Sequence, residues 1–251
     1  MYFRIIIPNY NNGEWIGKTL QSVMDQTFKD YQVIVVDDMS TDNSVDIIKQ
    51  FPVTLIQAEK KSYNGGARNI AIKFPLDSEY TLFLDSDDWL EDENRFQMIY
   101  DALISTSKPD CLSMAYRWIS HNNRTIQSYQ RDTRRDLVNS CFVACWTKCI
   151  KSEKIVLFPE NTLFEDVVQH IAQADVLDTF ATMVQPVVNW NRNNANSVTA
   201  NGNLHNKKWR ASIFRYVGEL IEMELNTPEC RAQRDFRIKA ILQDIKRGEY
   251  G

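Results

Sequence analysis

The sequence predicts an α/β fold, with a mainly parallel central sheet flanked by helices and a helical extension at the C-terminus. Three observations lead there. Short apolar runs and helix-periodic segments alternate through the first 108 residues, as successive βαβ units require. Polar or acidic clusters follow three of the runs, where ligands sit in open parallel sheets. A chain of 251 residues also fits one main core better than two equal domains.

Taken in order, Phe3 to Ile7 is a buried strand closed by Pro8. Ile16, Leu20, Val23 and Met24 then recur at helical spacing. Gln32 to Val36 is the second strand, and beyond Asp37-Asp38 the Ser40-Thr41-Asp42 cluster caps a helix carrying Val45, Ile48 and Phe51. Val53 to Ile56 is the third strand, followed by a helix marked by Ala67, Ile70, Ala71 and Phe74. Tyr80 to Leu84 is the fourth, and Phe96, Ile99 and Leu103 mark the next helix. After Pro109 the pieces shorten: Cys111 to Ile119 and Thr125 to Tyr129 flank the turn-prone His121-Asn122-Asn123. From Lys207, Trp209, Ile213, Tyr216, Val217 and Leu220 follow a helical period, and a second helix from Ala232 to Lys246 comes after Pro228. Packing on the domain is the expectation for these helices; a membrane surface or a second subunit are the alternatives.

A net charge of -4 argues against a nucleic-acid partner. No apolar run reaches the roughly 18 residues of a membrane span, and Met1-Tyr2-Phe3-Arg4 leads straight into a strand, so a cytoplasmic location is expected. Five cysteines make no disulfide framework. Cys141, Cys145 and Cys149 would share one helix face, but no His or further Cys follows at a zinc spacing, and they are read as small buried residues.

The chemistry-bearing clusters are Pro8-Asn9-Tyr10-Asn11 after strand one, Asp37-Asp38 after strand two and Asp85-Ser86-Asp87-Asp88 after strand four. All three fall on one edge of the sheet. Asp85 and Asp87, at alternate positions, can aim two hard oxygen donors into one pocket, which suits Mg²⁺ or Mn²⁺ on a nucleotide's phosphates. The eight glycines, at 13, 17, 65, 66, 202, 218, 248 and 251, build neither a dinucleotide fingerprint nor a P-loop. The diphosphate therefore falls to metal and side chains, and Arg68, just inside a helix, is a candidate cation. Glu165 and Asp166 open a later helix. Acids there often serve the helix dipole; the functional reading makes Asp166 a general base. A helix N-terminus weakens a base, so burial or Glu165 has to offset it.

These residues together resemble the bacterial family 2 of inverting glycosyltransferases, which have the GT-A fold. The likeness runs through Ile5 to Asn11, Val35 to Asp42, Gly66-Ala67-Arg68-Asn69 and Phe83 to Asp88. It continues in Trp146-Thr147-Lys148, Phe164-Glu165-Asp166, Asn191-Arg192 and Ser197-Val198-Thr199. The resemblance implies a GT-A domain over residues 1–206, with a nucleotide-binding half (1–108) and an acceptor and catalytic half (109–206), then a helical extension (207–251). It implies a UDP-sugar donor whose nucleotide meets Pro8, Tyr10, Asn11, Asp38, Arg68, Asp85, Ser86 and Arg192. The metal, Mn²⁺ or Mg²⁺, would sit on Asp87 with Asp85, and a late histidine, His205, is the further candidate ligand. Asp88, Trp146 and Lys148 would shape the substrate pocket, and Asp166, with Glu165 beside it, falls at the base position. His121 and His170 are read as structural. Met39 stands where relatives usually carry glycine, which leaves the shape of that turn open. The implied acceptor is a glycan or lipid-linked saccharide, met at the inner face of the membrane. A module that binds a sugar nucleotide or saccharide without turnover and an Asp-dependent phosphohydrolase are the competing readings.

Overall fold

The computed structural model describes residues 1–121, 123–128, 131–139, 144–160, 162, 165–195 and 207–246, the last of these with side chains from 215 to 243. The elements are β1 (Phe3–Asn9), α1 (Ile16–Met24), β2 (Tyr31–Asp37), α2 (Ser44–Ile48), β3 (Thr54–Gln57), α3 (Tyr63–Lys73), β4 (Tyr80–Phe83), β5 (Trp89–Leu90) and α4 (Arg95–Ser105). The second half holds β6 (Cys111–Ser120), β7 (Asn123–Gln127), α5 (Arg134–Val138), β8 (Lys148–Lys151), α6 (Glu165–Val176), β9 (Phe180–Asn191), α7 (Lys207–Glu222) and α8 (Pro228–Lys246).

One sheet runs β3-β2-β1-β4-β8-β6-β9-β5, with β7 also on β6. Its first four strands are parallel, as the alternating pattern requires. At β4 the direction reverses: β8 lies antiparallel to both β4 and β6, while β6 and β9 run parallel. The sheet is therefore mixed, and the parallel reading holds for β3-β2-β1-β4 and the β6–β9 pair. β1 also continues through Pro8 to Asn9 instead of stopping before the proline. β4 pairs β1 only as far as Ile6, so no neighbour on that side needs the N–H that proline lacks.

The core has two parts. Ile5, Ile6, Ile7, Val33 to Val36, Phe83 and Phe96 fill the space between the parallel strands and α1, α3 and α4. A second cluster joins Leu137, Val138, Val168, Ile171 and Ala174 to Tyr216, Leu220 and Cys230. The C-terminal helices thus pack on α5 and α6. Trp209 and Ile213 of the predicted helix lie outside the described side chains. Cys145 sits in a turn and Cys149 on β8, so the expected single helix face of cysteines is not formed; Cys141 is outside the described residues. Met39 adopts φ 66°, the left-handed conformation that glycine takes without cost, so the strain of this turn is carried by methionine. The helix after it is held by Asp42, whose carboxylate accepts from the N–H of Ser44 at 3.0 Å.

Candidate active site

The strand ends bring the predicted clusters to one edge. Asn9, at the end of β1, donates to Asp37 at the end of β2 (2.8 Å), and Ser40 donates to the same carboxylate. Asn11 accepts from the N–H of Thr41 at 2.7 Å. Asp38 is buried and spends its carboxylate on the start of α3: it accepts from the N–H and hydroxyl of Ser62 (2.7 and 2.8 Å) and the N–H of Tyr63 (2.9 Å), and pairs with Lys61 at 3.0 Å. The Lys61 ammonium also lies 2.7 Å above the ring of Tyr10, which is exposed. Pro8 is buried inside β1.

The acidic loop after β4 divides its carboxylates among three partners. Asp85 pairs with Arg68 (2.7 Å), Asp87 accepts from Asn194 (2.7 Å), and Asp88 accepts from the N–H of Asn191 at the end of β9 (2.8 Å). The loop is tightened by the Asp88 N–H donating to the Asp85 carbonyl at 3.1 Å. Burial, with Asp85 nearby, pushes the Asp87 carboxyl up to about 6. Asp88 is raised well above the ordinary range by burial and by both neighbouring acids, and its second oxygen is buried without a partner. Carboxylates crowded like this favour a cation among them.

Among the described residues, no three acidic, histidine or cysteine side chains form a complete cation cage. The two carboxylates of Asp87 and Asp85 are hard oxygen donors of the kind that a divalent ion such as Mg²⁺ or Mn²⁺ would take. His205 lies outside the described residues. Ser86 is buried and accepts from Asn12 at 2.7 Å, while Asn194 donates to Asn12 at 3.2 Å as well as to Asp87. The sequence reading passed over Asn12 and Asn194. The only local signal for Asn194 is its place two residues beyond Arg192.

The two acids opening α6 reach the same edge through α3. Arg68, 3% exposed, donates to Asp85 with one outer nitrogen and to Glu165 with the other, at 2.7 and 2.9 Å. The close approach depends on Gly65, where a Cβ would fall 2.6 Å from the carbonyl of Pro159 and 3.1 Å from Glu165. Asn69 fastens the same helix to Phe158 by donating to its carbonyl and accepting from its N–H, both at 2.8 Å. Burial raises the Asp166 carboxyl above its ordinary value, against the pull of Arg68 and Lys148. Burial thus offsets the lowering that a helix N-terminus brings. Glu165 is raised too, first by burial.

The predicted pocket residues lie deeper. Trp146 is buried edge-on to Tyr116, with ring centroids 5.1 Å apart, and Lys148 is buried with its ammonium donating to the Ala144 carbonyl at 2.9 Å. Burial and then Arg131 lower the Lys148 ammonium to about 8. The Arg192 guanidinium lies over Trp190, 4.7 Å from its centroid. His170 is buried, with Nε2 against the Leu137 carbonyl at 2.9 Å, which agrees with a structural role. Ser197, Val198 and Thr199 lie outside the described residues.

Residues 4–180 match the model of the family described as glycosyl transferase family 2. The chain belongs to that family. A poly(ribitol-phosphate) β-glucosyltransferase of Bacillus spizizenii is 43% identical over 101 residues, covering 37% of this chain and 16% of that protein. The β-1,3-glucosyltransferase WfgD of Escherichia coli, named for UDP-Glc and α-D-GlcNAc-diphosphoundecaprenol, is 30% identical over 152 residues, 57% of each chain. In fold, the chain is similar to Staphylococcus aureus TarS 1–349 solved with UDP-GlcNAc (TM-score 0.75, 21% identity, 96% of this chain and 72% of that one). It is also similar to the mannosyltransferase PcManGT of Pyrobaculum calidifontis solved with GDP-Man and Mn²⁺ (TM-score 0.66, 15% identity, 94% and 68%). The matched stretch is only 16% of the B. spizizenii relative's length and 29% of that of S. aureus TarP. Family membership and the GT-A architecture are as the sequence resemblance implied, and they displace the phosphohydrolase alternative. Among the described residues, no helix is long and apolar enough to cross a membrane.

Proposed function

We propose that this family 2 domain is an inverting glycosyltransferase that moves a sugar from a UDP-sugar to a hydroxyl of a cell-envelope glycan or lipid-linked saccharide. The observation that carries the reading is the placement of Asp166: a half-buried carboxyl with a raised pKa, next to Glu165, which Arg68 joins to the acidic loop. The acceptor hydroxyl enters beside Asp166 and passes its proton to that carboxylate as its oxygen attacks the anomeric carbon. The new carbon–oxygen bond forms on the face opposite UDP, the bond to the diphosphate breaks, and configuration inverts. Asp87 and Asp85 would hold the Mn²⁺ or Mg²⁺ ion, with Asn194 and Arg68 fixing their orientation. When bound, that ion compensates the negative charge growing on the leaving diphosphate. The exposed Tyr10 ring and the backbone around Asn11 line the approach to the nucleotide side. A donor of the UDP class is supported by the fold shared with TarS, solved with UDP-GlcNAc, and an envelope acceptor by the names of the relatives. Action at the inner face of the membrane belongs to the same proposal, and α7 and α8 are its candidates for peripheral contact or self-association.

The test is a panel of UDP-sugars with Mn²⁺, scored by UDP release with and without chelator, for the wild type and Asp166→Asn. The variant should bind donor as the wild type does and lose at least about 100-fold in turnover, the scale of a positioned general base. Turnover retained by Asp166→Asn defeats the assignment.

A further inference from the structure

We infer that Arg68 is a positioning residue: it fixes the separation between the donor-side acid Asp85 and the helix that presents Asp166, and it does not contact the nucleotide. The inference rests on the reading of Asp166 as base. Both outer guanidinium nitrogens are committed to carboxylates, 2.7 Å from Asp85 and 2.9 Å from Glu165, whose positions are 17 and 97 residues away in the chain. A bidentate fork can hold two acids at a set distance, whereas an ammonium on a flexible stem cannot. The side chain also has no freedom to swing toward a diphosphate. It is 3% exposed, its guanidinium lies 5.2 Å from the Phe158 ring centroid, and its helix is pinned by Asn69 on Phe158 and by the close approach at Gly65. Releasing it would leave Glu165, 7% exposed, as an unpaired buried acid.

The geometry matters because the two ends of this bridge carry the two halves of the reaction. Asp85 belongs to the loop that places the leaving group, and Glu165 is the residue before the base on the first turn of α6. A base misplaced by about 1 Å costs on the order of 100-fold in rate without any loss of binding energy to the donor. Arg68 thus acts on catalysis through Glu165 and the backbone of α6.

The experiment compares wild type, Arg68→Lys, Glu165→Gln and the double variant in the intact chain. It measures UDP affinity by calorimetry with Mn²⁺, turnover of the donor selected by the UDP-sugar panel, and thermal melting. Arg68→Lys should lower kcat by on the order of 100-fold while the Kd for UDP stays within about twofold, and the double variant should be within about twofold of Arg68→Lys, since both break one link. Glu165→Gln keeps one acceptor oxygen, exchanges the other for an amide NH2 and removes the charge; it should lower kcat at unchanged Kd, and a wild-type kcat there overturns the inference even if Arg68→Lys does not fold. A tenfold weaker Kd for UDP with unchanged kcat overturns the inference and returns Arg68 to the nucleotide. Losses that multiply in the double variant overturn it as well. Asp166→Asn run alongside separates the two readings: turnover retained there sinks the base assignment, whereas an inactive Asp166→Asn beside an Arg68→Lys impaired only in UDP binding sinks the positioning role alone.

Discussion

Gly65→Ala and Gly218→Ala are the same chemical change in two helices, and the structure gives them opposite signs. Replacing glycine by alanine inside a helix is worth up to about 1 kcal/mol in helix propensity. At Gly218, in α7, no described atom lies within 4 Å of the added Cβ. That variant should be more stable by roughly 0.5–1 kcal/mol. At Gly65 the Cβ lands 2.6 Å from the Pro159 carbonyl oxygen and 3.1 Å from Glu165. Relieving the contact requires about 1 Å of separation between α3 and the segment leading to α6. Neither side yields cheaply, since one is backbone and the other is tied to Arg68. Overpacking of this kind costs about 1–3 kcal/mol, which outweighs the propensity gain. Urea denaturation should therefore place the midpoint of Gly65→Ala below wild type and that of Gly218→Ala above it. Because the displaced segment carries Glu165 and Asp166, Gly65→Ala should also lose turnover, and Gly218→Ala should keep it. A Gly65→Ala protein as stable and active as Gly218→Ala would show that α3 does not set the position of α6.

The remaining predictions concern two acids. Asp87→Asn should reduce the tightening of UDP binding by Mn²⁺ by at least the roughly tenfold typical of losing even an outer-shell partner, measured by calorimetry before and after chelator; an unchanged Mn²⁺ effect would move the ion elsewhere. Asp110 is desolvated, yet the N–H groups of Asp178 and Thr179 and the Lys151 ammonium pull its carboxyl down to about 2. A depressed folded-state pKa gives stability that is present above the unfolded value near 3.9 and lost as pH falls toward 2. Asp110→Asn should therefore cost about 2 kcal/mol near neutral pH. Its deficit against wild type should close between about pH 4 and 2, and a deficit constant with pH in denaturant melts would contradict the charge argument.

The parts of the fold that were legible in the sequence are those with a local period. β1 to β4 are apolar runs, their helices repeat at helical spacing, and topology then forces Asn9, Asp37 and Asp85 to one edge. β9 left no such trace, although it is the longest strand among the described residues. It contains Pro186, buries Asn189 and Asn191, and shifts register against β6 between Met114 and Tyr116. These features suit a strand shaped by its partners, with no alternation to read. β8 was hidden for a different reason: Lys148 is buried at its start, so the strand does not read as apolar. Within the site, residue types pointed to the acids, while their partners were set by distant contacts. Asp38 caps α3, Asn194 reaches Asp87 across 107 positions, and Trp146 fills the core. None of these pairings is encoded in local spacing.

The α6 helix shows why such contacts matter more than propensity here. α6 is fixed at both ends by residues far away in the chain. At its start, Glu165 is held by Arg68; near its end, Asp175 accepts from the N–H and side-chain amide of Asn226 and from the N–H and hydroxyl of Thr227, in the turn that leads into α8. Between these ends, Val168, Ile171 and Ala174 share a core with Tyr216, Leu220 and Cys230. A catalytic group must be held within about 0.5 Å of its working position, and a twelve-residue helix has marginal stability by itself. The acidic loop after β4 leaves the parallel sheet and is held there by Arg68 of α3 and by Asn191 and Asn194. Asp166 depends on contacts of the same kind, so the α7–α8 pair is part of what positions the proposed base.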